Sequence, residues 1–195
     1  FAAGAGVVIG QRATAAKSNE KTAIPELLAT LALEGCIVTI DAMGTQASIA
    51  QAIRDRGADY ILAVKNNQPN LAEALRDFFE QFKNAPERTP HTAVQTVEKD
   101  HGRLETRRCY AFDQLACLSK PEQWPGLKSF AVIESERCLR GKTTRERRFY
   151  ISSLPPDADR LLRAIRAHWS VENSLHWCMD VAFADDEMRA RTGHA

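Results

Sequence analysis

The sequence predicts an α/β protein, with a parallel sheet in its first half, a β-rich region in its middle and a helical closing segment. Three observations point there. Short continuous apolar runs alternate with helix-periodic segments up to about residue 83, the order that folds into parallel strands with crossover helices. From Thr92 to Leu154 the periodicity changes to alternation broken by turn residues, which marks antiparallel hairpins. From Asp157 onward the helical period returns.

The first apolar run, Gly6-Val7-Val8-Ile9-Gly10-Gln11, reads as a strand. Between Ala23 and Leu31, Pro25 suits a first helical turn, and Ile24, Leu27, Leu28 and Leu31 share one face. Gly35 stops that helix. Cys36 to Ile40 is apolar throughout, apart from Thr39, as in a strand covered on both faces, and it ends at Asp41-Ala42-Met43-Gly44. A helix from about Gln46 to Arg56 turns Ile49, Ala50 and Ile53 inward and stops at Gly57. Tyr60 to Val64 is the next buried strand, followed by Lys65-Asn66-Asn67-Gln68. A helix from about Leu71 to Phe82 closes this half, and 84–90 reads as a linker.

Two hairpins come next. One pairs Thr92–Lys99 with Arg103–Phe112, and the other pairs Phe130–Arg137 with Thr144–Ser152. Pro155-Pro156 ends the β region. Helix is expected from about Asp157 through Arg166, continuing through His168 to Trp177.

Composition excludes several classes. No apolar run reaches membrane-spanning length, and the apolar start lacks the basic leader of a signal peptide. Both ends, Phe1 and Gly193-His194-Ala195, read as cuts in a longer protein. Five scattered cysteines without a C-x-x-C pair argue against a disulfide framework or a zinc ribbon, and a reducing cytosol is expected. The net charge of +1 hides an asymmetry: residues 99–150 hold 12 Lys/Arg against 7 Asp/Glu, while both flanks are mildly acidic. A basic middle beside carboxylate-bearing flanks suits a protein that grips phosphates, though a solvated charged surface has the same composition.

Asp41 stands where a buried strand emerges into a turn, the place where open α/β sheets build ligand sites. A carboxylate there can hold a divalent metal, or simply cap the turn. His168, Glu172, His176 and Asp180 recur every four residues and share one helical face in a segment dense in Trp and His. That stripe could be a metal or acid–base face, or histidines packed beside the core anchors Trp169 and Trp177. P-loop, dinucleotide, H-E-x-x-H and G-x-S-x-G patterns are absent. Arg103, Arg107 and Arg108 in one hairpin, and Arg137, Arg140, Lys142, Arg145, Arg147 and Arg148 clustered round the other, are candidates for phosphate contact, Arg145 and Arg147 on one face of a strand. A solvated sheet face is the plainer alternative for each.

Seven segments in order carry a resemblance: Lys17-Ser18-Asn19-Glu20, Ala23-Ile24-Pro25-Glu26-Leu27-Leu28, Val38-Thr39-Ile40-Asp41-Ala42-Met43-Gly44, Asp59-Tyr60-Ile61-Leu62-Ala63-Val64-Lys65, His101-Gly102-Arg103-Leu104-Glu105-Thr106-Arg107, Arg148-Phe149-Tyr150-Ile151-Ser152-Ser153-Leu154 and His168-Trp169-Ser170-Val171-Glu172-Asn173-Ser174-Leu175-His176-Trp177. Together they resemble the H-repeat-associated (ISAs-type) insertion-sequence transposases, which use DDE chemistry. The resemblance implies a ribonuclease H-like core with a β-rich insertion before the last catalytic helix. It divides the chain into core (1–83), insertion (84–154) and a C-terminal helical part of the core (155–195), with Phe1 to Gln11 as second and third core strands. Asp41 then matches the second acidic residue and Glu172 the third, and the first is expected upstream of Phe1, so that this segment alone should be inactive. Ile165, His168 and Met179 stand where the broader superfamily has Tyr, Arg and Lys, so Glu172 rests on the His-Trp-x-Val-Glu-Asn pattern. The resemblance further implies two Mg²⁺ (or Mn²⁺) ions at Asp41 and Glu172. His168, Asn173, His176 and Asp180 become supporting groups, and Lys65 joins the DNA-contact candidates. The expected partners are transposon-end and target DNA, bound by a dimer or higher multimer in the bacterial cytoplasm at the nucleoid, with no membrane association.

Overall fold

The computed structural model describes residues 1–12, 20–100 and 103–169. It is a mixed α/β fold around a six-stranded sheet. The elements are α1 (Glu20–Ala29), β1 (Ile37–Ile40), α2 (Ala47–Arg54), β2 (Asp59–Val64), α3 (Pro69–Asn84), β3 (Thr92–Asp100), β4 (Arg103–Phe112), β5 (Ser129–Leu139), β6 (Lys142–Ser152) and α4 (Ala158–His168).

The strand order is β1-β2-β6-β5-β4-β3. β1 and β2 are parallel, with Ile37 opposite Asp59 and Ile40 opposite Leu62, so their carboxyl ends emerge at the same edge. β2 then pairs antiparallel with β6, and the two hairpins continue from there. One continuous ladder therefore joins the first half of the chain to the middle. Buried serines seal the junction: Ser152 Oγ donates to Tyr60 O (2.8 Å), while Ser153 Oγ accepts from Tyr60 N (2.9 Å) and donates to Asp59 Oδ1 (2.8 Å). These pairings satisfy polar groups that burial would otherwise leave exposed to an apolar interior.

Strand alternation separates two cores. On one face Tyr60, Leu62, Val64, Phe112, Phe130, Val132, Phe149 and Ile151 meet α1, α2 and α3. The other face presents Ile61, Cys109, Ala111, Ala131, Ile133 and Tyr150 to Leu161, Leu162 and Ile165 of α4. Burial pushes the Cys109 thiol up to about 12, with Asp157 adding to the rise, so it stays protonated. Asp157 caps α4, its carboxylate accepting from Asp159 N (3.1 Å) and Arg160 N (3.0 Å).

Two sequence expectations are corrected. Residues Gly6 to Gln11 form no strand. A single bridge joins Ala2 to Val7, and Val7, Val8 and Ile9 stay exposed, because no neighbouring strand offers them a ladder. β1 is half-buried along its length instead of covered on both faces, because it lies at the sheet edge with β2 as its one partner. Smaller shifts occur as well. α1 begins before Ala23, which places Pro25 inside the helix, and α3 extends two residues beyond its expected ends on each side. Of the expected helix reaching Trp177, the described part ends at His168, and 170–177 lie outside the described residues.

The β5–β6 connection turns on Arg140 (φ 50°) and Gly141 (φ 80°). Left-handed backbone is free for Gly but costs an L side chain roughly 1 kcal/mol.

Candidate functional site

Asp41 leaves β1 in extended conformation and caps a single 3-10 turn at Ala42–Gly44. Its Oδ1 accepts from Met43 N (3.1 Å) and Gly44 N (3.3 Å), while Oδ2 has no hydrogen-bond partner among the described residues. The turn is fastened to the exit of β2. The buried Thr45 hydroxyl lies 3.1 Å from Asp41 O and 2.6 Å from Ala63 O, Asn67 Nδ2 donates to Ala42 O, and Gln68 Nε2 donates to Thr45 O (2.9 Å). The two strand exits therefore behave as one unit, which fixes the carboxylate relative to Lys65.

Gly44 makes this closeness possible. A Cβ there would lie 2.4 Å from Ile40 Cγ2 and 2.9 Å from Ile24 Cδ1, both inside a packed region. Gly44→Ala is expected to destabilise the chain by about 1–3 kcal/mol through overpacking beneath Asp41. An unchanged urea midpoint would show that the turn can yield.

A cavity of about 280 Å³ opens over these exits. Asp41, Lys65, Arg148, Tyr150, His168 and Trp169 are among its lining residues. His168, the last residue of α4, brings Nδ1 to 3.0 Å from Thr39 Oγ1 and so pins the helix end to β1, two residues before Asp41. Arg148 is held by Glu146 (2.7 and 2.9 Å) and lies 4.6 Å from the centre of the Trp169 ring. The lining thus sets two carboxylates, Asp41 and the Arg148-paired Glu146, among several cations, an arrangement that can receive a phosphate oxygen next to an acidic ligand.

Among the described residues no group of three or more His, Cys, Asp or Glu could hold a metal. Glu172, Asn173, His176 and Asp180 lie outside the described residues.

The basic candidates separate into two sets. Arg107 donates to Glu98 (2.8 Å) and pairs with Glu105 (2.5 Å). Arg147 pairs with Glu134 (2.9 Å) and Glu80 and covers the Phe79 ring at 4.8 Å. Arg145 meets Glu136 (2.7 Å), Arg103 lies 3.7 Å from Glu105, and Arg108 donates to Gln95 (2.8 Å). Arg145 and Arg147 do share a sheet face, yet Glu136 and Glu134 stand opposite them on β5. Desolvation raises the Glu98 carboxyl, but hydrogen bonds from Arg166 and Arg107 outweigh it and hold the group below the ordinary range. Arg140 and Lys142 have no such partner among the described residues, and Lys65 lines the cavity.

Sequence reasoning missed Thr39 and Thr45 as site-builders and read Arg148 only as one of the basic residues of its hairpin. Their signals depend on long-range contacts, Thr39 with His168, Thr45 with Ala63 and Arg148 with Trp169.

No helix among the described residues is long and apolar enough to cross a membrane. The model of the Transposase DDE domain family matches residues 1–195. YncI of Escherichia coli O157:H7, named a candidate transposase, is 44% identical over 194 residues, covering 97% of this chain and 49% of its own length. YhhI of Escherichia coli K12, named a candidate H repeat-associated transposase, is 42% identical over 197 residues, covering 97% of this chain and 51% of its own length. The chain spans about half the length of these curated relatives.

Proposed function

Because the chain belongs to the Transposase DDE domain family, it is a transposase domain, and we propose that it serves metal-dependent phosphoryl transfer that cuts an insertion sequence and joins it to target DNA. The observation carrying this is Asp41 at the mouth of a cavity shared with Lys65 and His168, where parallel strands end. In the proposal residues 1–83 and 155–195 build a ribonuclease H-like core, and 84–154 are an insertion whose strands extend the core sheet.

Asp41 fits a hard cation. One carboxylate oxygen is steadied by two backbone N–H groups, and the other has no hydrogen-bond partner among the described residues. A single carboxylate is a sparse donor set for Mg²⁺, which takes one or two carboxylates together with water and substrate phosphate oxygens. Glu172 is proposed as the second ligand of a site for two Mg²⁺ or Mn²⁺ ions, an assignment that rests on the sequence motif. When bound, such ions activate the attacking oxygen and stabilise the leaving one.

The chain's own residues do the rest. Lys65 meets a phosphate oxygen at the cavity. His168, through Thr39, holds the end of α4 against β1. His168, Asn173, His176 and Asp180 support the acidic ligands, and the hairpin cations left without a glutamate partner contact element-end and target DNA. The protein works in the cytoplasm as a dimer or larger multimer on paired ends.

The test is a strand-transfer assay with labelled element-end duplex and Mg²⁺, using a chain extended to the length of its relatives. Metal-dependent nicking followed by joining is expected. Hydrolysis without joining would point to a nuclease, and metal-independent DNA binding without chemistry would point to a non-catalytic remnant.

A further inference from the structure

The β5–β6 hairpin closes with Leu139 opposite Lys142, leaving Arg140 and Gly141 as a two-residue loop. Both loop residues take positive φ, the pattern of a type I′ turn, in which Asn-Gly is the favoured pair. An arginine in the first position opposes that preference. Like charges near the turn also oppose folding, and Glu105, which stands opposite Arg137 on β4, has its carboxylate taken by Arg107 (2.5 Å). Arg137 and Lys142 stand on the same sheet face as diagonal cross-strand neighbours, because Arg137 faces Thr144 and Leu139 faces Lys142. Arg137, Arg140 and Lys142 have no ion-pair or side-chain hydrogen-bond partner among the described residues, all three are exposed, and nothing lies within 4 Å of a Cβ built at Gly141. Farther up the same sheet Arg107, Arg145, Arg147 and Arg148 are each met by a glutamate.

Three unmet cations on and beside a turn built against its own backbone preference bring the folded chain no ion pair or side-chain hydrogen bond. An anion from outside makes the arrangement favourable. We infer that the β5–β6 tip is the sheet's grip on a DNA phosphate backbone, that it acts through Arg137, Arg140 and Lys142 without reading sequence, and that the glutamate-paired arginines are not part of it. The inference rests on the DNA-transposing function proposed above. Sequence independence follows from the groups available, since flexible cations on a tip neutralise phosphates and do not require base edges.

The experiment measures binding of the 195-residue chain to a random-sequence DNA duplex by fluorescence anisotropy across a salt series, alongside thermal unfolding. Arg140→Asn is expected to raise Tm by a few degrees, because Asn suits the turn, and to weaken binding roughly fivefold to tenfold. Its log-affinity against log-salt slope should be shallower by about 1. The combined variant Arg137→Gln/Arg140→Asn/Lys142→Gln should lose about 3 from the slope. Arg145→Gln, which removes a cation already paired with Glu136, should leave the slope near wild type. Slopes unchanged in the tip variants, or an equal loss in Arg145→Gln, would overturn the assignment while leaving DNA binding intact. A wild-type chain that binds no duplex removes the proposed function, and this grip with it.

Discussion

Asp41→Asn is expected to leave the chain folded while lowering metal-dependent cleavage and joining by roughly a thousandfold or more. The substitution separates two roles of one side chain. Asn retains an oxygen that can accept from Met43 N and Gly44 N, so the capped turn survives. What disappears is the negative charge that a divalent cation needs. Asp41→Ala is a poorer probe, because it also removes the cap, worth about 1 kcal/mol. The measurements are strand transfer in a chain of its relatives' length and thermal unfolding of the same sample. Activity within tenfold of wild type, at unchanged Tm, would remove Asp41 from the site.

The largest stability effect is expected at Phe79→Ala, a loss of about 3–5 kcal/mol. Phe79 is fully buried where α3 crosses the hairpin strands. Its ring centre lies 5.5 Å from Phe82, 5.4 Å from Tyr110 and 6.4 Å from Phe112, and Arg147 covers it. Truncation leaves a cavity among rings that cannot collapse without leaving their rotamers. Since β2 and β6 are one ladder, the lost stability should appear at the same denaturant concentration whether unfolding is followed by tryptophan fluorescence or by far-UV circular dichroism. A loss below about 1 kcal/mol would contradict the packing of α3 on these strands.

Local pattern made much of this fold legible. α2, α3, β2, both hairpins and α4 carry strong periodicity with turn or cap residues at their ends, and each lies close to its expected bounds. The misplaced elements are those whose fate depends on a partner distant in sequence. Cys36 to Ile40 has the composition of a central strand, but its position is set by what pairs beside it. Gly6 to Gln11 is apolar enough for a strand and meets no partner. Nothing local announces that Ser152 and Ser153 will reach Tyr60 and Asp59 and merge the two halves into one sheet.

The same division runs through the site. Asp41 and Lys65 are visible as polar residues after apolar strand runs. The pin between Thr39 and His168, and the stacking of Arg148 on Trp169, are invisible until the chain folds. The basic residues teach a sharper lesson. Arg147 looks like a free cation in sequence because Glu134 and Glu80 arrive from β5 and α3, and Arg107 has only Glu105 as a local partner until strand register brings the Glu98 carboxylate to it.

The unbroken path of β6 from Lys142 at the tip to Phe149, opposite Val64, makes the sheet a ruler. Seven residues of strand at about 3.3 Å each set roughly 23 Å between the turn and the rim of the Asp41 cavity. At about 3.4 Å per nucleotide step, this span corresponds to roughly seven steps of duplex. A backbone held at the turn would therefore present the cavity with a phosphate at a fixed offset along the helix, whatever the bases between them. Lengthening β5 and β6 by one residue pair each would move that offset by about two steps.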